Sequence, residues 1–91
     1  MAHTIKNNKK FKVIAMTQDE AKELGFGVED GIICMNCNNY IMHVIYYIPV
    51  LNDCMCKECF KQWYKRATHY PEDIEFEDKL FNIYATQLRL I

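Results

Sequence analysis

Glycine and proline are scarce in this chain of 91 residues: three glycines, all between 25 and 31, and two prolines, Pro49 and Pro71. No glycine-rich phosphate loop, nucleophile elbow or His-Glu-x-x-His helix is present, which removes the common signatures of nucleotide-binding and hydrolytic enzymes. Net charge is also missing. Eleven basic residues stand against twelve acidic ones, a formal charge of −1, so no global field draws the protein toward nucleic acid or anionic lipid. The longest apolar run, Tyr40 to Leu51, is too short for a bilayer and is interrupted by His43 and Pro49, so no membrane span is expected. The opening MAHTIKNNKKFK has no apolar core of the kind a signal peptide needs, and a cytoplasmic location is expected.

Cysteine, by contrast, is concentrated. All five lie between Cys34 and Cys59, and four form two Cys-x-x-Cys pairs, Cys34/Cys37 and Cys56/Cys59, with eighteen residues between the pairs. A pair so spaced can grip one metal ion from both sides of a tight turn. Two pairs at this separation are the signature of a tetrahedral four-thiolate zinc site. An odd count of cysteines argues against a disulfide framework, and reduced thiols agree with a cytosolic setting. One Zn2+ is the expected cofactor; iron suits the same four sulfurs and would show by its colour. Cys54 lies two residues before Cys56 and is the alternative ligand, although a Cys54/Cys59 pair would miss the spacing that suits a helix start. Its other reading is an apolar hairpin residue. His43 and His69 are expected to be an ordinary strand residue and an exposed linker residue, and His3 a solvated one.

A metal of this kind matters more to a short chain than to a long one. At this length folding buries roughly 60–65% of the unfolded surface. A structural zinc supplies about 10–16 kcal/mol of apparent binding free energy at neutral pH, against about 5–15 kcal/mol for the whole stability of an ordinary domain.

In chain order, residues 1–10 are polar and basic and are expected to form a flexible tail. Phe11 to Met16 suits a strand. Thr17-Gln18-Asp19-Glu20 has the form of a capping box, and Gly25 and Gly27 would end the short helix it starts. Glu29-Asp30-Gly31 is expected to turn. A metal knuckle at Cys34–Cys37 needs a residue of positive φ just after it, and Asn38 is the tolerant residue at that place. Ile41 to Val50 should be extended, with Pro49 at an edge. Asn52-Asp53 should turn, and Cys54 to Cys56 should return as the second arm of a hairpin. Phe60, Trp63, Tyr64 and Ala67 then recur at helical spacing, while Lys57, Lys61, Lys65 and Arg66 occupy another face.

Knuckle, hairpin and a helix whose first turn carries the second pair together resemble a treble clef. The Cys-x-Asn-Cys, eighteen residues, Cys-x-x-Cys pattern is similar to that of GATA-type zinc fingers. The resemblance covers about a third of the chain, within an expected zinc-finger core at residues 32–68, and implies a small α+β zinc domain. It departs from the DNA-binding members in having an aromatic hairpin and no basic tail, so DNA recognition is not carried over with it.

Residues 71–90 read as a final helix, with Pro71 at its first position and Glu72, Asp73 and Glu75 complementing the helix dipole. Ile74, Phe81, Tyr84, Leu88 and Ile91 make one apolar stripe; Phe76, Leu80, Ile83 and Leu90 make a second. Two stripes on one helix suggest that Phe76, Leu80 and Ile83 meet a partner. A closed four-thiolate shell leaves no open position for a catalytic water, so no enzymatic activity is expected. The resulting expectation is a small zinc-stabilised protein-interaction or regulatory module, self-associating or bound to a protein partner. The alternative is a nucleic-acid-binding finger using Lys57, Lys61, Lys65 and Arg66.

Overall fold

In the computed structural model, which describes residues 1–27 and 31–91, four short strands and three α-helices form a mixed α+β fold. The strands are β1 (His3–Thr4), β2 (Ile14–Met16), β3 (Ile45–Ile48) and β4 (Asp53–Met55). The helices are α1 (Gln18–Glu23), α2 (Lys57–Arg66) and α3 (Ile74–Gln87), the last entered through a 3-10 turn at Pro71–Asp73. The sheet runs β1-β2-β3-β4 with every neighbour antiparallel. The expected Glu29-Asp30-Gly31 turn falls, in its first two residues, outside the described part.

Successive residues of a strand point to opposite faces of its sheet. In β3, Tyr46 stacks on Phe60 of α2, with ring centroids 4.9 Å apart and planes 3° from parallel. Its neighbour Tyr47 meets Tyr84 of α3 and Phe26, each at 4.9 Å. The helices α2 and α3 therefore cover opposite faces of the sheet. The segment before β2 follows the same rule: Phe11 packs on Trp63 at 4.7 Å, whereas Lys12 lies over Phe81 of α3. With both faces covered, Val13 to Met16 are all buried, which explains an unbroken apolar run where a half-exposed strand would alternate. Pro49, expected at a sheet edge, is buried in the turn that follows β3, where its missing N–H removes nothing from the ladder.

Residues 1–10, expected to be a loose tail, are tied to the body at both ends. His3 and Thr4 pair with Ala15 and Ile14. Lys9 reaches the end of α2, where its ammonium donates to the carbonyls of Tyr64, Lys65 and Ala67 and lies over the Tyr64 ring. A cation there satisfies carbonyls that the helix itself leaves unpaired. A polar, basic composition suggested solvent; a helix C-terminus is the other environment that such a lysine suits.

The capping box at Thr17 forms as expected: Glu20 N–H donates to Thr17 Oγ1 at 3.2 Å, and Thr17 N–H to Glu20 Oε1 at 2.9 Å. The second Glu20 oxygen accepts from the Ala2 N–H at 2.8 Å, so one carboxylate caps α1 and pins the N-terminal strand. Burial pushes the Glu20 carboxyl upward, but the Thr17 and Ala2 hydrogen bonds outweigh it and hold the carboxyl below its ordinary value. A depressed folded-state value means that the unfolded chain binds more protons through that window. The contribution is thus present above the ordinary glutamate range and is lost as pH falls through the folded value. Glu20→Gln is expected to lower stability by about 1 kcal/mol at neutral pH and by less at low pH. Urea titrations of both proteins at the two pH values check this.

At the other end of α1, Phe26 N–H bonds to Ala21 O and Gly25 N–H to Lys22 O, a Schellman ending with Gly25 at φ 85°. The same pair of bonds ends α3, from Leu90 to Ala85 and from Arg89 to Thr86, with Arg89 in the left-handed region at φ 61°. This ending stops α3 at Gln87, short of the expected residue 90. Of its inner stripe Phe81 is buried and Tyr84 and Leu88 partly so, packed with Ala85 against the core. Ile74 and Ile91, expected on the same stripe, are exposed, and Leu90 of the second stripe packs against the core instead. Phe76 and Ile83 of the outer stripe stay exposed, and Leu80 is half-buried.

Candidate metal centre

Two short pieces of backbone bring the paired cysteines together. The first folds back on itself: Ile33 bridges Tyr40, Cys34 N–H donates to Asn39 O at 2.9 Å, and Asn38 N–H donates to Cys34 O at 3.0 Å. Asn38 takes φ 63°, the left-handed position expected after the second cysteine. The second piece is the start of α2, where Cys56 is the N-cap and Cys59 lies in the first turn. Met35 N–H donates to Cys54 O at 3.0 Å and fastens the first piece to β4.

The Sγ atoms of Cys34, Cys37, Cys56 and Cys59 all lie within 4.8 Å of one another. Tetrahedral zinc with bonds of about 2.3 Å holds its sulfurs about 3.8 Å apart. The residues present therefore fit such an ion after a contraction of an ångström or less. Cys34 and Cys59 are buried, Cys56 is half-buried and Cys37 is exposed, so one side of the cluster borders solvent.

The electrostatics of the cluster point the same way. Burial would raise the Cys34 thiol, yet N–H groups of Cys37, Cys56 and Asn36 aimed at its sulfur bring it down to about 7. Cys56 is pushed up to about 12, first by burial and then by the neighbouring sulfurs of Cys59 and Cys34, which together outweigh the Cys59 N–H. The Asn36 amide favours the Cys59 thiolate, but burial and the sulfurs of Cys34 and Cys37 raise the thiol overall. Four sulfurs this close cannot all carry charge unless a cation sits among them. A dication would release the protons and fill its coordination shell with thiolates alone.

Cys54, the alternative ligand, stands apart from this group. It pairs across the sheet with Tyr47, and directly opposed residues share a face, so its side chain lies on the α3 side of the sheet. Burial, then the charges of Asp53 and Cys34, push its thiol up to about 12. It is one of the core residues. Cys54→Ser is expected to retain the metal while losing about 1–3 kcal/mol of stability from a buried hydroxyl. Metal content per chain together with a urea titration checks this, and loss of metal would show that Cys54 serves as a ligand.

Lys57, Lys61, Lys65 and Arg66 are exposed along α2, but Lys9 and Lys12, which would widen a basic patch, are engaged elsewhere: Lys9 at the end of α2, Lys12 with Asp78. His43 is exposed. It borders an open groove of about 750 Å³ between residues 39–46 and the start of α2, lined by Tyr40, Met42, Val44, Tyr46 and Lys57. Tyr40, Met42 and Val44 are large, apolar and exposed there; of the other two tyrosines of the aromatic hairpin, Tyr46 is half-buried and Tyr47 lies in the core.

His69 corrects its expectation most plainly. It is no exposed linker residue: its Nε2 lies 2.9 Å from Glu77 Oε1, and its ring packs on Phe11 at 4.7 Å. Glu77 is 1% exposed, and its other oxygen accepts from the Lys12 N–H at 3.1 Å. A signal was present in the sequence, because Glu77 falls between Ile74 and Phe81 on the inner stripe of α3, where an unpaired carboxylate would be too costly. Among the described residues no helix is long and apolar enough to cross a membrane. Comparison with protein-family models, with curated proteins and with solved structures found no match to this chain.

Proposed function

We propose that the four cysteines bind one zinc ion as a structural staple, and that the domain works as a small protein-interaction or regulatory module of the cytoplasm. Knuckle, β3–β4 hairpin and α2 then form a treble-clef-type unit around the ion. The observation that carries this reading is a sulfur cluster complete in itself beside large apolar side chains left in solvent. Four thiolates close the shell, so the metal has no position for a substrate or a nucleophilic water. Meanwhile Met42 is 73% exposed, Phe76 50%, Tyr40 48% and Ile83 44%. Exposed apolar groups gathered at two places, the groove beside the cluster and the outer face of α3, are what a binding surface requires.

All five cysteines are free thiols, the state a reducing compartment maintains and a metal site needs. The exposed cations of α2 support nucleic-acid binding less well, because a phosphate-tracking surface needs more of them. Of the lysines that would add to them, Lys9 is engaged at the helix end and Lys12 lies on the α3 side of the sheet.

The test uses zinc-loaded protein on a solid support, compared with Tyr40→Ser/Met42→Ser and with Phe76→Ser/Ile83→Ser. A protein retained by the wild type and lost on one of the variants is the expected result. Equal retention by all three, together with salt-sensitive retention of DNA, would overturn the interaction reading.

A further inference from the structure

We propose that the outer stripe of α3 is a self-complementary interface, through which two copies of this chain pair with their α3 helices antiparallel. The proposal deepens the interaction reading above and rests on it, naming a second copy of the chain as the partner of this one surface.

The stripe is close to palindromic. Phe76 lies four residues before Leu80 and Ile83 three after it, all three outward on α3, with Phe76 and Ile83 exposed and Leu80 half-buried. A two-fold axis passing near Leu80 sets Leu80 against its own copy and Phe76 against the copy's Ile83. An isologous contact has this form, in which one patch serves both partners. The middle of the inner stripe packs on the core, so Phe76, Leu80 and Ile83 are the apolar run along this helix that the fold leaves toward solvent.

Charge selects the direction. Between residues 72 and 78 the segment carries Glu72, Asp73, Glu75, Glu77 and Asp78 and no cation; from 79 to 91 it carries Lys79 and Arg89 and no acid. Within the fold Glu77 pairs with His69 and Asp78 with Lys12. Glu72 and Glu75 are exposed and Asp73 half-buried. A parallel pair would stack these acids against their copies. An antiparallel pair brings the acidic first turn of each helix to the level of the partner's Arg89, and also opposes the two helix dipoles. An unrelated partner would require neither the near-palindrome nor the split of charge about its centre. Three apolar side chains per copy make a small interface, so the pairing is reversible and weak.

Sedimentation equilibrium of the zinc-loaded chain tests this. The expected result is a monomer–dimer equilibrium with a dissociation constant on the order of 10–100 µM. Phe76→Ser and Leu80→Ser should each weaken it about tenfold or more. Neither should abolish the thermal transition, because both side chains keep contact with solvent. Glu72→Lys should weaken pairing about two- to fivefold, and the exchange Glu72→Lys with Arg89→Glu should restore it. A protein monomeric at about 1 mM, or a dimer indifferent to Phe76→Ser, overturns the proposal. Double-reversal restoring nothing overturns the antiparallel arrangement. If the protein is monomeric yet Phe76→Ser/Ile83→Ser still loses a retained protein, the dimer fails while the interaction reading stands. If it is monomeric and no variant changes retention, both fail.

Discussion

Cys34→Ser is expected to cost the protein its metal and, with the metal, its cooperative unfolding transition. Cys34 is fully buried, and its sulfur is where N–H groups of Asn36, Cys37 and Cys56 converge from both halves of the cluster. Serine is a poor zinc ligand, and no water reaches the position to stand in for the lost sulfur. Apparent binding free energies of structural zinc are about 10–16 kcal/mol, at or above the stability of a domain this size, so the loss of even half exceeds what the remaining core can absorb. Thermal melting followed by circular dichroism, with metal content measured on the same sample, reads both effects. Excess chelator on the wild type should reproduce the result. Cys37→Ser should be milder, because that position is exposed and water can occupy it. A Cys34→Ser protein that melts as the wild type does would remove the metal from the account of stability.

Glu77→Ala is expected to destabilise the fold by about 2–4 kcal/mol, although Glu77 lies among the acidic residues between Glu72 and Asp78. The carboxylate is buried between α3 and the strand segment before β2, holding the Lys12 N–H with one oxygen and His69 with the other. Removing it strands a buried backbone donor and a largely buried imidazole together, and unmet donors cost more than the bonds contribute when formed. Glu77→Gln keeps an acceptor for Lys12 and should cost about half as much, while Glu75→Ala, on the exposed side, should stay within about 0.5 kcal/mol. Urea midpoints at unchanged slope measure all three. A midpoint for Glu77→Ala equal to that of Glu75→Ala would show that the buried pair contributes nothing.

The two expectations differ in how far the sequence foretold them. Cysteine spacing is a local property: a pair two residues apart can face one point whatever the rest of the chain does, and Asn38 at φ 63° obeys the same local geometry. The capping box at Thr17 and the glycine ending at Gly25 are local in the same sense, each decided within about six residues. His69 and Glu77 meet Phe11 and Lys12 from the far side of the chain, and only the packing of α3 on the sheet brings them together.

Cysteine spacing, helix caps and apolar periodicity determined by themselves that the chain carries a four-thiol cluster on two tight turns, a capped short helix and a doubly apolar final helix. Tertiary structure decided the rest. It placed α2 and α3 on opposite faces of the sheet through the alternation of Tyr46 and Tyr47, and so turned Cys54 away from the cluster. It bound the N-terminal residues that composition assigned to solvent, because Lys9 found helix carbonyls and Ala2 found Glu20. It also chose which stripe of α3 meets the sheet and which is left to water, since a helix can bury only the side that its neighbours reach.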